Sequence, residues 1–223
     1  MLYGAAFFAF GAYFALGAAN GGPWLVLAWP AGCFFVIGAG YLGVGAGMLG
    51  KRPDGTRPGW NRVVFAPYYF LVWLTMRFVR GLSGEDCFNE VSPGLYVGRR
   101  AEVHEIPEGT KVVLDLTAEL DVPEGVREAF DYRTLPTLDG AAPRAADFRT
   151  FVESAAEAEG PIYVHCAAGH ARSAMTAAAI LLKRGDAREP WEVVRALREK
   201  RPRIGLSTPQ RRLLRRLAEE FRS

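Results

Sequence analysis

Residues 161–183 read PIYVHCAAGHARSAMTAAAILLK. A short apolar run ends at His165, Cys166 opens a Gly-Ala loop, and Arg172 and Ser173 begin a helix-like segment. In a strand–loop–helix unit, this spacing lets successive backbone N–H groups turn inward around one point. Such a nest, beside a helix N-terminus, binds a tetrahedral anion. Ala167, Ala168, Gly169, His170 and Ala171 would form its wall, and Gly169 keeps the loop thin enough for close approach. Arg172 offers a planar fork for two phosphate oxygens. A free thiol is only a few per cent ionised at neutral pH, and a helix N-terminus and nearby cations raise that fraction. Cys166 is thus expected as a thiolate in line with the phosphorus of a bound phosphomonoester. Ser173 is placed to donate a hydrogen bond to the departing thiolate, and His165 to hold the nucleophile by hydrogen bonding. An inert buried cysteine is the plain alternative, but it leaves the Cys, Gly and Arg-Ser grouping at one junction without a cause. Cys33 and Cys87 have no such context and read as structural. No Cys/His spacing suggests a metal site, and the chemistry needs no cofactor.

The elements around this loop alternate. Leu95–Val97, Lys111–Leu116, Phe130–Leu135 and Ile162–His165 read as strands. Helical patterns follow from Pro143 to about Glu159, over Arg172–Arg184 closed by Gly185, over Pro190–Lys200, and from Thr208-Pro209 to about Phe221. Pro opens helices at the first position and Gly closes them. The alternation predicts an α/β fold, with a central, mostly parallel sheet flanked by helices.

The N-terminal part is different. Residues 1–50 hold none of the 27 Lys and Arg or 24 Asp and Glu residues. The uncharged runs 1–19 and 24–49, joined by Asn20-Gly21-Gly22-Pro23, read as a transmembrane helical hairpin, since about 20 apolar residues cross a bilayer. A cleaved signal peptide over 1–19 is the alternative, but the basic n-region is missing. Small residues at four-residue spacing (Gly11, Ala15; Ala39, Gly43, Gly47) suit close helix approach in lipid. Lys51, Arg52, Arg57 and Arg62 follow and mark the cytoplasmic side. The apolar segment 63–79, with Pro67 inside it and Arg77 near its end, is expected to lie in the interface; the alternative is a third span, which would put the rest of the chain outside the cytoplasm. This gives residues 1–80 as a membrane anchor and 81–223 as the catalytic domain, an integral membrane protein with its catalytic domain cytoplasmic, where a reactive thiolate stays reduced. Charge is segregated: 1–80 has six basic and one acidic residue, 81–187 ten and eighteen, and 188–223 eleven and five. The basic C-terminal run reads as a solvated helix face or a phospholipid contact. Nothing in it stacks on or reads bases, so nucleic acid is not an expected partner.

HCAAGHARS resembles the H-C-x5-R-S/T motif of the cysteine-dependent protein tyrosine phosphatase superfamily, most closely its dual-specificity branch. The resemblance extends over roughly 90–220. It implies that Cys166 forms a phosphocysteine, Arg172 binds phosphate and Ser173 assists thiolate departure. Expelling an alkoxide or phenolate requires a proton donor. The resemblance places that general acid at Asp139 in LPTLDGAAP (135–143), with Asp131 as the rival. This stretch is also similar to the mitochondrial phosphatidylglycerophosphate phosphatases of the same branch. An acid paired with a thiolate predicts a bell-shaped rate profile with an acidic optimum. The loop lacks the Lys that phosphoinositide-specific members often carry there, with His170 the one partial substitute for it. Gln210, at the start of the last helix, stands near the site by the same resemblance. The resulting expectation is a membrane-anchored phosphatase acting on a phosphorylated lipid or a phosphoprotein near the bilayer. The alternatives are a non-catalytic phosphate-binding module on a membrane and a sulfurtransferase or arsenate reductase with a similar anion loop.

Overall fold

The computed structural model describes residues 2–222; Met1 and Ser223, at the ends of the expected anchor and domain, lie outside them. The chain divides into two compact units. One holds the residues up to Lys51 together with Arg57–Ser83, and the other holds Arg52–Thr56 with everything from Gly84 on.

In the first unit, helix α1 spans Leu2–Ala18 and α2 spans Ala28–Ala39. They pack closely because glycine makes room for rings: a Cβ on Gly11 would lie 2.7 Å from Phe35, and one on Gly38 would lie 2.8 Å from Phe8. The expected small-residue stripe at Gly43 and Gly47 meets nothing within 4 Å. The run 24–49, expected as one helix, is broken. A 3-10 turn over Gly22–Leu27 precedes α2, and a wide turn over Gly40–Val44 ends where Gly43 adopts φ 140. Among the described residues one helical stretch, Gly22–Val44, 23 residues of mean hydropathy 1.8, is long and apolar enough to cross a membrane. Helix α3 covers Gly59–Val64 and α4 covers Ala66–Ser83. Pro67 therefore sits in the first turn of α4, where its missing N–H costs nothing. Arg57, one of the basic residues that follow the second apolar run, is buried with its guanidinium 4.1 Å from the Tyr69 ring.

The second unit is the expected α/β fold. Its strands are β1 Phe88–Ser92, β2 Leu95–Arg99, β3 Val112–Thr117, β4 Asp131–Thr137 and β5 Ile162–Cys166. They form one sheet in the order β1-β2-β5-β3-β4, with β1 antiparallel to β2 and all other pairs parallel. The helices are α5 Val126–Ala129, α6 Ala145–Ala156, α7 Arg172–Arg184, α8 Pro190–Lys200 and α9 Thr208–Arg222. The α6 helix starts later than Pro143 suggested, with Arg144 as its cap.

Strand alternation sorts the core. Leu114, Leu116, Ile162, Val164 and Cys166 join Phe148, Met175, Ile180 and Leu214 under the helices. Val113 and Tyr163 face the other layer with Ile106 and Val126. Parallel pairing brings the carboxyl ends of β3, β4 and β5 to one edge of the sheet. There Asp115 is the register partner of His165, and Thr117 that of Thr137. Open α/β sheets bind ligands at such an edge. The loops leaving β3 and β4 carry Glu119 and Asp139, and Cys166 is the last residue of β5.

Candidate active site

Cys166 ends β5 and is buried, its Sγ 3.4 Å from Ser173 Oγ, and the Gly169 amide donates to the sulfur at 3.3 Å. The loop's orientation follows from its carbonyls. Ala167 O accepts from the Arg100 amide, Ala168 O and Gly169 O from the Arg201 guanidinium (3.2 and 3.0 Å), and His170 O from the Gly205 amide. Four successive carbonyls are therefore held from outside. Across a trans peptide the following N–H points the opposite way, so the amides of residues 168–171 turn toward the centre of the loop. Inward-facing amides in succession form a concavity of the kind that can take an anion.

Gly169 is required by its own backbone neighbours as well. Its φ is 80, and a Cβ there would lie 2.5 Å from the Gly98 carbonyl carbon. The loop can close only because two backbones meet at this point.

Arg172, the first residue of α7, is 1% exposed. Glu119 grips both terminal nitrogens, with Nη1 donating to Oε2 at 2.8 Å and Nη2 to Oε1 at 2.7 Å, while Nη1 also donates to Thr137 O at 2.7 Å. Nη1 has thereby spent both its protons. The Nε of Arg172 is buried without a hydrogen-bond partner. A guanidinium has five donors in a fixed fork, so the Nε and Nη2 edge is the one left for a ligand. Asp139 Oδ1 stands 3.3 Å from Nη2, on a side chain 54% exposed. Burial presses the Arg172 proton off. The charge and hydrogen bonds of Glu119 oppose this, followed by the charges of Asp139 and Cys166, and the pKa is held well above the ordinary arginine value. The guanidinium is a fixed cation at any working pH.

Asp139 lies in a tight turn in which the Ala141 amide bonds Leu138 O. Gln210, buried at the start of α9, donates from Nε2 to Ala141 O at 3.0 Å and accepts from the Ser207 amide at 2.9 Å. It braces the Asp139 turn from the helix side. Asp131 occupies the amino end of β4, at the opposite edge of the sheet, where it pairs with Arg133. Cys166 ends β5 at the other edge, on the side of Asp139.

His165, which immediately precedes Cys166, is buried at 2% exposure. The strand pleat turns it to the opposite side from Cys166. Its ring stacks on Tyr163 with centroids 5.8 Å apart, and its Nδ1 lies 3.9 Å from Asp115 Oδ1. His170 points outward, with Nε2 2.6 Å from Glu85 Oε2. This contact ties the loop to the segment that carries Glu85.

Two residues here went unnoticed in the sequence. Glu119 sets the fork of Arg172 across a separation of 53 residues. Arg201, 2% exposed, donates to two loop carbonyls and also to Asp86 O at 3.0 Å and Asn89 Oδ1 at 2.9 Å. No local spacing announces either contact. Among the described residues no cluster of His, Cys, Asp or Glu could hold a metal ion.

This constellation defines a class. A buried cysteine under inward-facing amides, with a fixed guanidinium and a carboxyl group opposite, is the arrangement of a cysteine-dependent phosphatase. Residues 102–220 match the family described as "Dual specificity phosphatase, catalytic domain", and the chain belongs to that family. It is a phosphoric monoester hydrolase. Among solved structures, PTPMT1 in complex with PI(5)P shares 20% identity at a TM-score of 0.53, covering 61% of this chain and 97% of that one. Human DUSP28 shares 18% at 0.54, covering 62% and 97%. The human tyrosine phosphatase-like serine/threonine/tyrosine-interacting protein shares 19% at 0.54, covering 62% and 100%. At such identity the likeness is one of fold. No curated protein matches the chain by sequence.

Proposed function

We propose that this phosphatase is anchored in a bilayer by its N-terminal unit and hydrolyses phosphomonoesters presented at that surface, lipid phosphates first among them. In the first step the Cys166 thiolate attacks phosphorus and the P–O bond to the leaving group breaks. Asp139 gives its proton to the departing oxygen. The Nε and Nη2 edge of Arg172 and the loop amides bind the phosphoryl oxygens. In the second step water attacks the phosphocysteine, Asp139 takes the water's proton, and the P–S bond breaks. Ser173 hydrogen-bonds the released thiolate, and inorganic phosphate departs. The observation that carries the chemistry is the outward binding of the four loop carbonyls, which aims the amides at the sulfur.

Three observations support the bilayer setting. Gly22–Val44 is long and apolar enough to span. Tyr13, Leu16, Trp24 and Val26 are more than half exposed, a costly arrangement in water. The helix α4 exposes Phe70, Trp73 and Phe78 beside Arg77, which suits an interface. A cytoplasmic catalytic unit fits the basic residues after the hairpin and the thiolate's need for a reducing compartment. Lipid phosphate is favoured because a similar fold, PTPMT1, was solved with PI(5)P. A phosphoprotein substrate is the second reading, favoured by the dual-specificity family match. Phosphate release from the full chain in detergent, over a panel of lipid phosphates and phosphopeptides, decides between them. Release from an aryl phosphate that survives Cys166→Ser would refute the mechanism.

A further inference from the structure

The helices α8 and α9 enclose a groove of about 340 Å³ on the helical face of the catalytic unit. Its floor is apolar, built on Leu206 and Leu214 with Val194, and Trp191 stands at its rim, 59% exposed. Arg195 and Arg198 border it from α8, and Arg211 and Arg215 from α9. These four differ from two other arginines of α9. Arg216 and Arg222 are paired with Glu220 and Glu189. Arg195 instead lies over the Trp191 ring at 5.1 Å, Arg198 donates to the Ile204 carbonyl, and Arg211 donates to the Thr208 hydroxyl. Among the described residues none of the four has a carboxylate partner. The segment 188–223 carries eleven basic and five acidic residues, whereas 81–187 is acidic, so the positive charge is concentrated here.

We infer that this groove is a docking site for anionic phospholipid at the bilayer surface. An apolar floor framed by uncompensated guanidinium groups matches a ligand with an apolar body and an anionic head. Guanidinium takes phosphate oxygens as a fork, and an exposed Trp settles at the boundary between headgroups and acyl chains. Lys and Arg clusters bind anionic leaflets in this way, and molar salt screens them. The inference rests on the bilayer anchoring proposed above, which keeps the groove within reach of such lipid. It adds a second, charge-selective contact that would hold the catalytic unit against acidic membranes.

The test uses the full chain in nanodiscs of phosphatidylcholine and in nanodiscs rich in phosphatidylglycerol, with hydrogen exchange read over 190–216. On the anionic discs the amides around Val194 and Leu214 should exchange about tenfold more slowly. Molar salt and the double variant Arg195→Glu/Arg215→Glu should each abolish the slowing, while that variant's aryl phosphate turnover stays unchanged. Equal exchange on both discs, with the chain retained in both, overturns the inference. Slowing by an acidic peptide in detergent, without any lipid effect, overturns it too and assigns the groove to a protein partner. Failure of the chain to enter either disc instead refutes the anchoring.

Discussion

Replacing Arg201 with Met removes the donors of two carbonyls of the phosphate loop while keeping most of the side chain's bulk. In the native protein Ala168 O and Gly169 O accept from this guanidinium at 3.2 and 3.0 Å. Each buried carbonyl left without a donor costs about 1–3 kcal/mol. Losing both penalises the inward-amide conformation by about 2–6 kcal/mol, and the loop regains part of that by opening to water. A net loss near 3 kcal/mol corresponds to roughly a hundredfold in kcat/KM for an aryl phosphate. Vanadate protection of Cys166 against iodoacetate should weaken in parallel, because both depend on the same closed loop. Arg201→Lys, which can still donate to one carbonyl, should recover part of the loss. A purely structural role would lower the melting temperature and leave these ratios alone. If Arg201→Met keeps kcat/KM within about threefold of the native value, the loop does not depend on this clamp and the reasoning fails.

Other variants separate the remaining roles. Asp139→Asn should lower kcat by about 10²–10⁴-fold and flatten the alkaline limb of the pH–rate profile, with vanadate affinity largely kept. Arg172 stays charged throughout, because its pKa is held above the ordinary value, so neither limb belongs to it; pH–rate profiles of both proteins check this. Glu119→Gln breaks a buried ion pair and should cost about 3–5 kcal/mol in a urea melt, together with weaker phosphate binding. Gly169→Ala places a Cβ against the Gly98 carbonyl at φ 80, and should abolish vanadate binding measured by calorimetry while most of the fold, read by circular dichroism, remains.

The elements legible in the sequence were those marked by local chemistry. Arg172–Arg184 ends at Gly185, and Pro190 opens the next helix, as the cap residues dictated. The strand β1 escaped notice because FNEVS has no apolar alternation and pairs at an edge. The break in the second apolar run was hidden because glycines that pack helices and glycines that end them look alike. Gly38 packs against a ring, while Gly43 turns the chain. Cys166, Arg172 and Ser173 declared themselves by spacing along one loop. Glu119 and Arg201 did not, since their partners are brought close by the sheet order and the helix packing. Arg201 was also concealed within a charge run, where the usual expectation is solvent exposure. The stacking of His165 on Tyr163 follows from strand alternation, which puts residues two apart on one face.

The central claim is that Cys166 carries the phosphoryl group, and covalent trapping tests it most directly. Ser173→Ala slows thiolate departure in the second step, so rapid acid quench during aryl phosphate turnover should catch phosphate on the peptide containing Cys166, seen by mass spectrometry as an accumulating species preceded by a burst of phenol. Phosphate on another residue, or steady turnover with no covalent species in that variant, would contradict the account.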